Sequence, residues 1–364
     1  MKEEFNLEHY LSDGVENIVK NAMRSSLSNP KESIFLAKYA LAAKNARTLR
    51  HIAEKRGEHI PPFLIASIAN TCNLHCAGCY ARANHSCQEH ADDNQLKDKD
   101  WMRIFKEAEE LGISFILLAG GEPLIRREII AGAGDIHNII FPVFTNGTLL
   151  SEDYISLFDQ KRNLVPILSI EGDEKTTDLR RGAGVYQRVE ETMKRLKTRK
   201  ILYGTSITVT KENILEVTSQ SFLEHLYESG CKVVIYVEYV PVTEESKTLA
   251  PEEQEREILK EALVKLRTGL KDMLFISFPG DEKAYGGCLA AGRGFFHINP
   301  QGGAEPCPFS PFSDMNLCNS SLKEALNSPL FRKLGEQNIM VGEHVGGCVL
   351  FEQKELVKAI LVGN

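Results

Sequence analysis

The chain has 364 residues, of which 43% are hydrophobic and 26% charged, and its net charge is −7. This composition predicts a soluble globular protein with one large domain and smaller additions, and the acidity argues against a nucleic-acid partner. Because it contains neither an apolar run of transmembrane length nor a signal-peptide core, we expect no membrane association and a cytoplasmic location.

Residues 1–61 are predicted to form a helical N-terminal extension. Apolar residues recur every three or four positions in two segments, 17–27 and 32–55, which are separated by Asn29 and Pro30. A winged-helix domain that binds leader peptides would need strands. Because this region contains no strand pattern, the sequence argues against such a domain. We therefore expect the extension to pack on the main domain.

Residues 62–280 alternate between predicted strands and predicted helices. The strand segments are short, apolar and rich in β-branched residues, which is typical of a buried parallel sheet. The pattern predicts six or seven strands, fewer than the eight of a closed barrel. The expected fold class is α/β, with a partial, open (β/α) barrel. The predicted strands are 62–69, 114–123, 139–147, 164–172, 201–213, 231–242 and 272–278.

Three cysteines, Cys72, Cys76 and Cys79, follow the first predicted strand with the spacing CxxxCxxC. Thiolates are ligands for iron–sulfur clusters, zinc or copper. A structural zinc site requires four protein ligands, and no fourth ligand lies close by in the sequence. Three thiols would instead leave one iron of a 4Fe–4S cluster open. Since sites in α/β folds lie at the carboxyl ends of strands, the position of the motif favours the cluster.

Two further motifs end predicted strands. Gly120, Gly121 and Glu122 belong to a GGEP turn, whose glycines allow a ligand to approach the backbone closely. Ser169 ends the fourth strand, and Arg181 lies in the string DLRRG that follows. The alternative interpretation is a simple strand-to-helix turn for GGEP, a satisfied turn hydroxyl for Ser169 and surface charge for Arg181.

With these motifs in this order, residues 62–240 resemble the radical S-adenosylmethionine (radical SAM) superfamily. The resemblance implies a six-stranded partial barrel, (β/α)6, and a 4Fe–4S cluster on the three cysteines, with S-adenosylmethionine chelating the open iron. It further implies contacts from Gly120, Gly121 and Glu122 to the methionine part, and from Ser169 and Arg181 to S-adenosylmethionine. Members often carry an aromatic residue immediately before the third cysteine. This chain has Gly78 there, so Tyr80 is the expected adenine contact.

Residues 281–364 are rich in glycine, proline and cysteine and form a predicted small second module. The spacing from Cys288 through Gly302 to Cys307 resembles the opening of the SPASM/twitch auxiliary-cluster module. The resemblance implies one auxiliary 4Fe–4S cluster, with Cys348 as a further ligand and Cys318 as either the fourth ligand or unpaired. A zinc staple is the alternative. The two remaining cysteines are predicted to be unligated, Cys87 in a polar loop and Cys231 in the core.

The resemblance implies reductive cleavage of S-adenosylmethionine to a 5′-deoxyadenosyl radical that abstracts hydrogen from a substrate. We expect the substrate to be a peptide or protein under maturation. The alternatives are oxidative modification or decarboxylation of a tetrapyrrole or another metabolite and, from a different class, an iron–sulfur electron carrier. The radical reaction would need a low-potential electron donor such as ferredoxin or flavodoxin.

Overall fold

The computed structural model describes residues 30–241, 245–285, 287–336, 340 and 348–362. The predicted helix at 17–27 lies outside these residues. The described strands form a single nine-stranded sheet. They are β1 (Phe63–Ala69), β2 (Phe115–Gly120), β3 (Phe141–Thr145), β4 (Leu164–Ser169), β5 (Gly204–Val209), β6 (Val233–Glu238), β7 (Leu274–Phe278), β8 (His297–Ile298) and β9 (Ala304–Glu305).

The sheet has the order β7-β6-β5-β4-β3-β2-β1-β8-β9. All neighbouring pairs are parallel except β8 and β9, which form an antiparallel hairpin. The seven consecutive parallel strands follow one another around a partial TIM-like barrel, and this confirms the predicted fold class. The resemblance implied six strands. The seventh, β7, pairs with β6 in register from Val233 and Leu274 onward, so the number six was wrong.

Helices connect successive strands and bury their apolar faces against the sheet, as the 3.6-residue periodicity predicted. The α-helices are α1 (Pro30–Glu54), α2 (Tyr80–Ala83), α3 (Asp98–Leu111), α4 (Arg127–Ala133), α5 (Glu152–Gln160), α6 (Glu174–Arg181), α7 (Val185–Thr198), α8 (Ile214–Val217), α9 (Gln220–Glu228), α10 (Glu253–Gly269), α11 (Leu322–Leu326), α12 (Pro329–Glu336), α13 (Val349–Glu352) and α14 (Lys354–Val362). The described residues also form three 3-10 helices, Pro123–Ile125, Glu245–Leu249 and Gly280–Tyr285. None of the described helices is long and apolar enough to cross a membrane.

Helix α1 packs at the amino-terminal end of the strands. The Tyr39 ring contacts Phe115 edge-on, with 5.9 Å between the ring centroids. The Tyr39 hydroxyl donates to the carbonyl of Ser114, and the Arg50 guanidinium donates to that of Gly112. This helix therefore packs on the barrel as predicted, at the end opposite the carboxyl termini of the strands.

A buried hydrogen-bonded chain joins the C-terminal hairpin to the barrel. His297 on β8 lies 2.7 Å from the Ser67 hydroxyl on β1 through Nε2, and 2.7 Å from the Glu305 carboxylate on β9 through Nδ1. All three side chains are buried. Since buried polar groups are stable only when paired, this chain ties the hairpin to the strand that leads into the cysteine loop.

Candidate functional site

A cavity of about 300 Å³ lies at the carboxyl ends of the barrel strands. Its wall is mostly apolar and includes aromatic side chains from β1, β3 and β7, such as Phe63, Phe144 and Phe278. Thiols from both the barrel and the C-terminal region line this one space. They are Cys72, Cys76, Cys79, Cys87, Cys288, Cys307 and Cys348.

The loop that carries the first three thiols begins immediately after β1. Backbone hydrogen bonds hold it on two sides: Glu122 N–H donates to the carbonyl of Thr71, and Ala77 N–H donates to that of Arg180, both at 2.8 Å. The Arg82 guanidinium donates to the carbonyl of Leu74 at 2.9 Å. The loop therefore has a fixed position between the GGEP turn and helix α6.

The chemistry of these thiols fits a metal cluster. Burial raises the pKa of Cys72 to about 12, so this thiol keeps its proton unless a metal replaces it. Among the described histidine, cysteine, aspartate and glutamate side chains, no three converge on a point that could hold a single metal ion. An iron–sulfur cluster takes protein ligands at separate irons, so thiols that share a cavity without converging are compatible with it.

Glu122 lies at the bottom of this space and is 1% exposed. One carboxylate oxygen accepts hydrogen bonds from Leu124 N–H at 3.0 Å and the Thr145 hydroxyl at 2.8 Å. The other accepts from Asn146 N–H at 2.9 Å. Burial outweighs these bonds and raises the pKa of Glu122 to about 7. The carboxylate is therefore fixed in orientation, and within the described residues it forms no ion pair, although the charge of Arg181 acts on it.

The two glycines before Glu122 allow the turn to touch the cysteine loop. Gly121 N–H donates to the carbonyl of Ala69 at 2.7 Å. A Cβ atom at Gly121 would overlap the carbonyl oxygen of Thr71 and lie 3.0 Å from Cys72 N. Gly120 has φ +132°, and a Cβ atom there would overlap the backbone of Ala69. Only glycine therefore allows this close packing of backbone on backbone.

Ser169 and Arg181 both line the cavity. Arg181 donates through Nε to one carboxylate oxygen of Glu171 at 2.8 Å, and Arg180 donates to the same oxygen at 2.7 Å. The other oxygen of Glu171 accepts from Thr208 N–H at 2.8 Å. Glu171 therefore holds the two arginines at the cavity wall.

Two tyrosines flank the third cysteine. The Tyr80 ring packs on Phe309 of the C-terminal region, with 5.0 Å between centroids. Tyr239, which follows β6, fills the space that a side chain at position 78 would need, because a Cβ atom at Gly78 would lie 2.7 Å from its ring. The Tyr239 hydroxyl is buried without a hydrogen-bond partner in the described part of the chain. The ring of Tyr239 thus lies where a side chain at position 78 would otherwise lie.

The four cysteines of the C-terminal region do not all lie in the same place. Cys288, Cys307 and Cys348 line the cavity, while Cys318 does not. Cys318 is exposed, and its sulfur lies 3.9 Å from the carbonyl oxygen of Gln301. Of the two alternatives for Cys318, fourth ligand or unpaired thiol, this exposed position favours the unpaired thiol.

Cys87, placed in a polar loop by the sequence analysis, and Glu282, which it did not single out, both line the cavity. Cys87 is buried at 5% exposure, because Cys87 N–H donates to Ala81 at 2.9 Å and thereby folds the polar segment back on the cysteine loop. The other is Glu282, a buried carboxyl group next to Cys288. Neither position belongs to a motif. Cys231 lies in the core, as predicted.

Comparison with known proteins assigns the domain. Residues 66–218 match the Radical SAM superfamily. The AdoMet-dependent heme synthase of Methanosarcina barkeri is 26% identical over 325 residues, which cover 81% of this chain and 90% of that protein. The sporulation killing factor maturation protein SkfB of Bacillus subtilis is 26% identical over 46% of this chain and 40% of its own length.

A solved structure shares the fold. SuiB of Streptococcus suis, bound to S-adenosylmethionine, has a TM-score of 0.66 and 18% identity, covering 88% of this chain and 77% of SuiB. The same protein has also been solved with the precursor peptide SuiA, with a TM-score of 0.63. From the match of residues 66–218 to this family, and from the cysteine loop packed against a buried glycine turn, we conclude that the chain contains a radical SAM domain.

Proposed function

We propose that Cys72, Cys76 and Cys79 hold the 4Fe–4S cluster that this family implies, with S-adenosylmethionine on the open iron. The observation that carries the proposal is the packing of the cysteine loop on the GGEP turn, with Glu122 buried beside it. When bound, the reduced cluster supplies the electron that cleaves S-adenosylmethionine and starts hydrogen abstraction from a substrate.

In this proposal, different residues around the cavity bind different parts of S-adenosylmethionine. Glu122 accepts the ammonium group, next to the backbone of Gly120 and Gly121. Arg181, oriented by Glu171, and Ser169 face the remaining polar atoms, since a guanidinium suits a carboxylate by its two-pronged geometry. Their shared cavity supports this assignment.

The aromatic residues flank the adenine in this proposal. Tyr80 is anchored on Phe309, and Tyr239 occupies the space beside Gly78. The unpaired Tyr239 hydroxyl offers a hydrogen bond to a ligand, because a buried hydroxyl without a partner is costly. The adenine is thus contacted by Tyr80 and Tyr239, and not by a side chain at position 78.

We further propose one auxiliary 4Fe–4S cluster on Cys288, Cys307 and Cys348. These thiols line the same cavity as the first set. The hairpin between Cys288 and Cys307 is fixed to the barrel by its pairing with β1. An auxiliary cluster held there would lie across the cavity from the first cluster, where it could exchange electrons with a substrate between them.

The substrate we propose is a peptide or protein under maturation. The name of SkfB describes a maturation protein, and SuiB, which shares the fold, binds a precursor peptide. The apolar wall of the cavity suits an aliphatic or aromatic side chain inserted from the open side of the barrel. A low-potential donor such as ferredoxin or flavodoxin would supply the electron.

A tetrapyrrole is the second candidate substrate. The match to a heme synthase over 90% of that protein's length favours it, and an apolar wall with two arginines suits a flat ring with carboxylate side chains. The electron-carrier alternative does not fit a radical SAM enzyme. Titration with an iron porphyrin distinguishes the two substrates: a saturable shift of its absorbance supports the tetrapyrrole, and no shift favours the peptide.

Anaerobic reconstitution tests the proposed reaction. We expect about eight irons per chain and slow formation of 5′-deoxyadenosine after addition of dithionite and S-adenosylmethionine. Substitution of all three cysteines of the first loop by alanine should abolish this product. A chain with about four irons that still forms the product would contradict the auxiliary cluster. A fully loaded chain that does not cleave S-adenosylmethionine would contradict the proposed reaction.

We expect the affinity for S-adenosylmethionine to rise with pH through the titration of Glu122. The pKa of about 7 means that the free protein must lose a proton from this group before it can pair with an ammonium. Between about pH 6 and about pH 7.5 the dissociation constant should fall roughly five- to tenfold. Anaerobic calorimetry measures it, and Glu122→Gln should bind weakly with a flat pH profile. An unchanged profile in this variant would assign the titration to another group.

A further inference from the structure

The carboxyl group of Glu282 lies in the cavity wall among the second set of thiols. It lines the same cavity as Cys288, Cys307 and Cys348, and the Cys288 thiol and the backbone of Leu289 lie beside it. Its charge also acts on Cys348. Glu282 is 8% exposed, and its 3-10 helix directly precedes Cys288. The carboxylate therefore faces the same cavity as the three thiols, whereas Cys318 does not line this cavity.

Glu282 differs from two other buried carboxylates in its ion pairing. Glu238 pairs with Arg256 at 2.9 Å, and Glu171 pairs with Arg181. In the described part of the chain, no lysine or arginine forms an ion pair with Glu282, and the charge of Arg293 acts on it without such a contact. A buried carboxylate without a directly paired cation is costly, so a positive group bound in the cavity would stabilise it.

We propose that Glu282 is the fourth protein ligand of the auxiliary cluster, beside Cys288, Cys307 and Cys348. The inference rests on the proposed function, which includes that cluster. A 4Fe–4S cluster offers one coordination position per iron, and three thiols leave one iron without a protein ligand. An ionised carboxylate is a metal ligand, and the iron supplies the positive charge that Glu282 lacks.

An oxygen ligand makes one iron of the cluster different from the other three. Carboxylates are harder ligands than thiolates and bind soft metal centres less tightly. The iron next to Glu282 is therefore the one from which a protein ligand is most easily displaced by an incoming group. Since Glu282 lines the common cavity, an iron bound to it would be accessible to a group in that cavity.

The test uses a full-length parent protein in which Cys72, Cys76 and Cys79 are all alanine, so that only the auxiliary cluster forms. After anaerobic reconstitution we expect about four irons per chain in this parent. Glu282→Gln should lower this to about three and produce the electron paramagnetic resonance spectrum of a 3Fe–4S cluster. Glu282→Cys should keep about four irons and change the spectrum of the reduced cluster. Cys318→Ala is the matched control and should change neither quantity.

The outcomes separate this inference from the proposed function. A parent without iron would overturn the auxiliary cluster, and the fourth ligand with it. A parent with its full iron, whose content and spectrum are unaffected by Glu282→Gln and Glu282→Cys, would overturn the role of Glu282 alone. Loss of iron in Cys318→Ala would also overturn it. Should Glu282→Gln fail to fold, as checked by fluorescence of the buried Trp101, the spectrum of Glu282→Cys decides.

Discussion

Replacement of Gly121 by alanine is expected to lower 5′-deoxyadenosine formation roughly a hundredfold or more. The added methyl group would overlap the carbonyl oxygen of Thr71 and crowd the amide of Cys72. Neither group can rotate away, since both belong to the backbone. The turn must therefore move off the cysteine loop, and Glu122 moves with it. Product assays and anaerobic calorimetry with S-adenosylmethionine measure the effect.

Gly335→Ala is the matched control for this substitution. Gly335 lies in helix α12, and a Cβ atom there would meet no other atom within 4 Å. We expect wild-type activity and a slight gain in stability, because alanine favours a helix over glycine by up to about 1 kcal/mol. Wild-type affinity for S-adenosylmethionine in Gly121→Ala would show that the turn does not hold the ligand.

The strands and helices of the barrel could be predicted because their sequence patterns depend only on residues close together in the chain. Strand and helix periodicity, and the Ser151 side chain that caps helix α5, depend on neighbouring residues. The segment between β5 and β6 forms two helices, α8 and α9, since Ser219 adopts an extended conformation and caps the second through Phe222 N–H. Such a cap leaves a weak sequence pattern, because serine is also tolerated inside helices.

The candidate site was predictable where ligands follow one another in a motif. Cys72 and Glu122 could be found in this way, and the cavity does contain both. Glu282 and Cys87 could not, because their proximity to the thiols arises from tertiary folding. The two alternatives for Cys318 stayed open for the same reason, because the sequence does not show that its side chain is exposed.

Glu171→Ala is expected to lower the free energy of unfolding by about 3–5 kcal/mol. This carboxylate is 1% exposed and accepts from Arg180, Arg181 and Thr208 N–H. Its removal leaves two guanidinium groups, with only 19% and 9% side-chain exposure, without their countercharge. Urea unfolding of the metal-free protein, followed by fluorescence of the single tryptophan, measures this loss.

Glu212→Ala is the matched control, since Glu212 is exposed and lies in the loop between β5 and α8. Its substitution should change stability by less than about 0.5 kcal/mol. Glu171→Gln separates shape from charge: the amide fits the same space but cannot neutralise two arginines, so we expect an intermediate loss. Equal stability of Glu171→Ala and the wild type would mean that water solvates both arginines. In that case Arg181 would have no fixed orientation, and its proposed contact with S-adenosylmethionine would lose its structural basis.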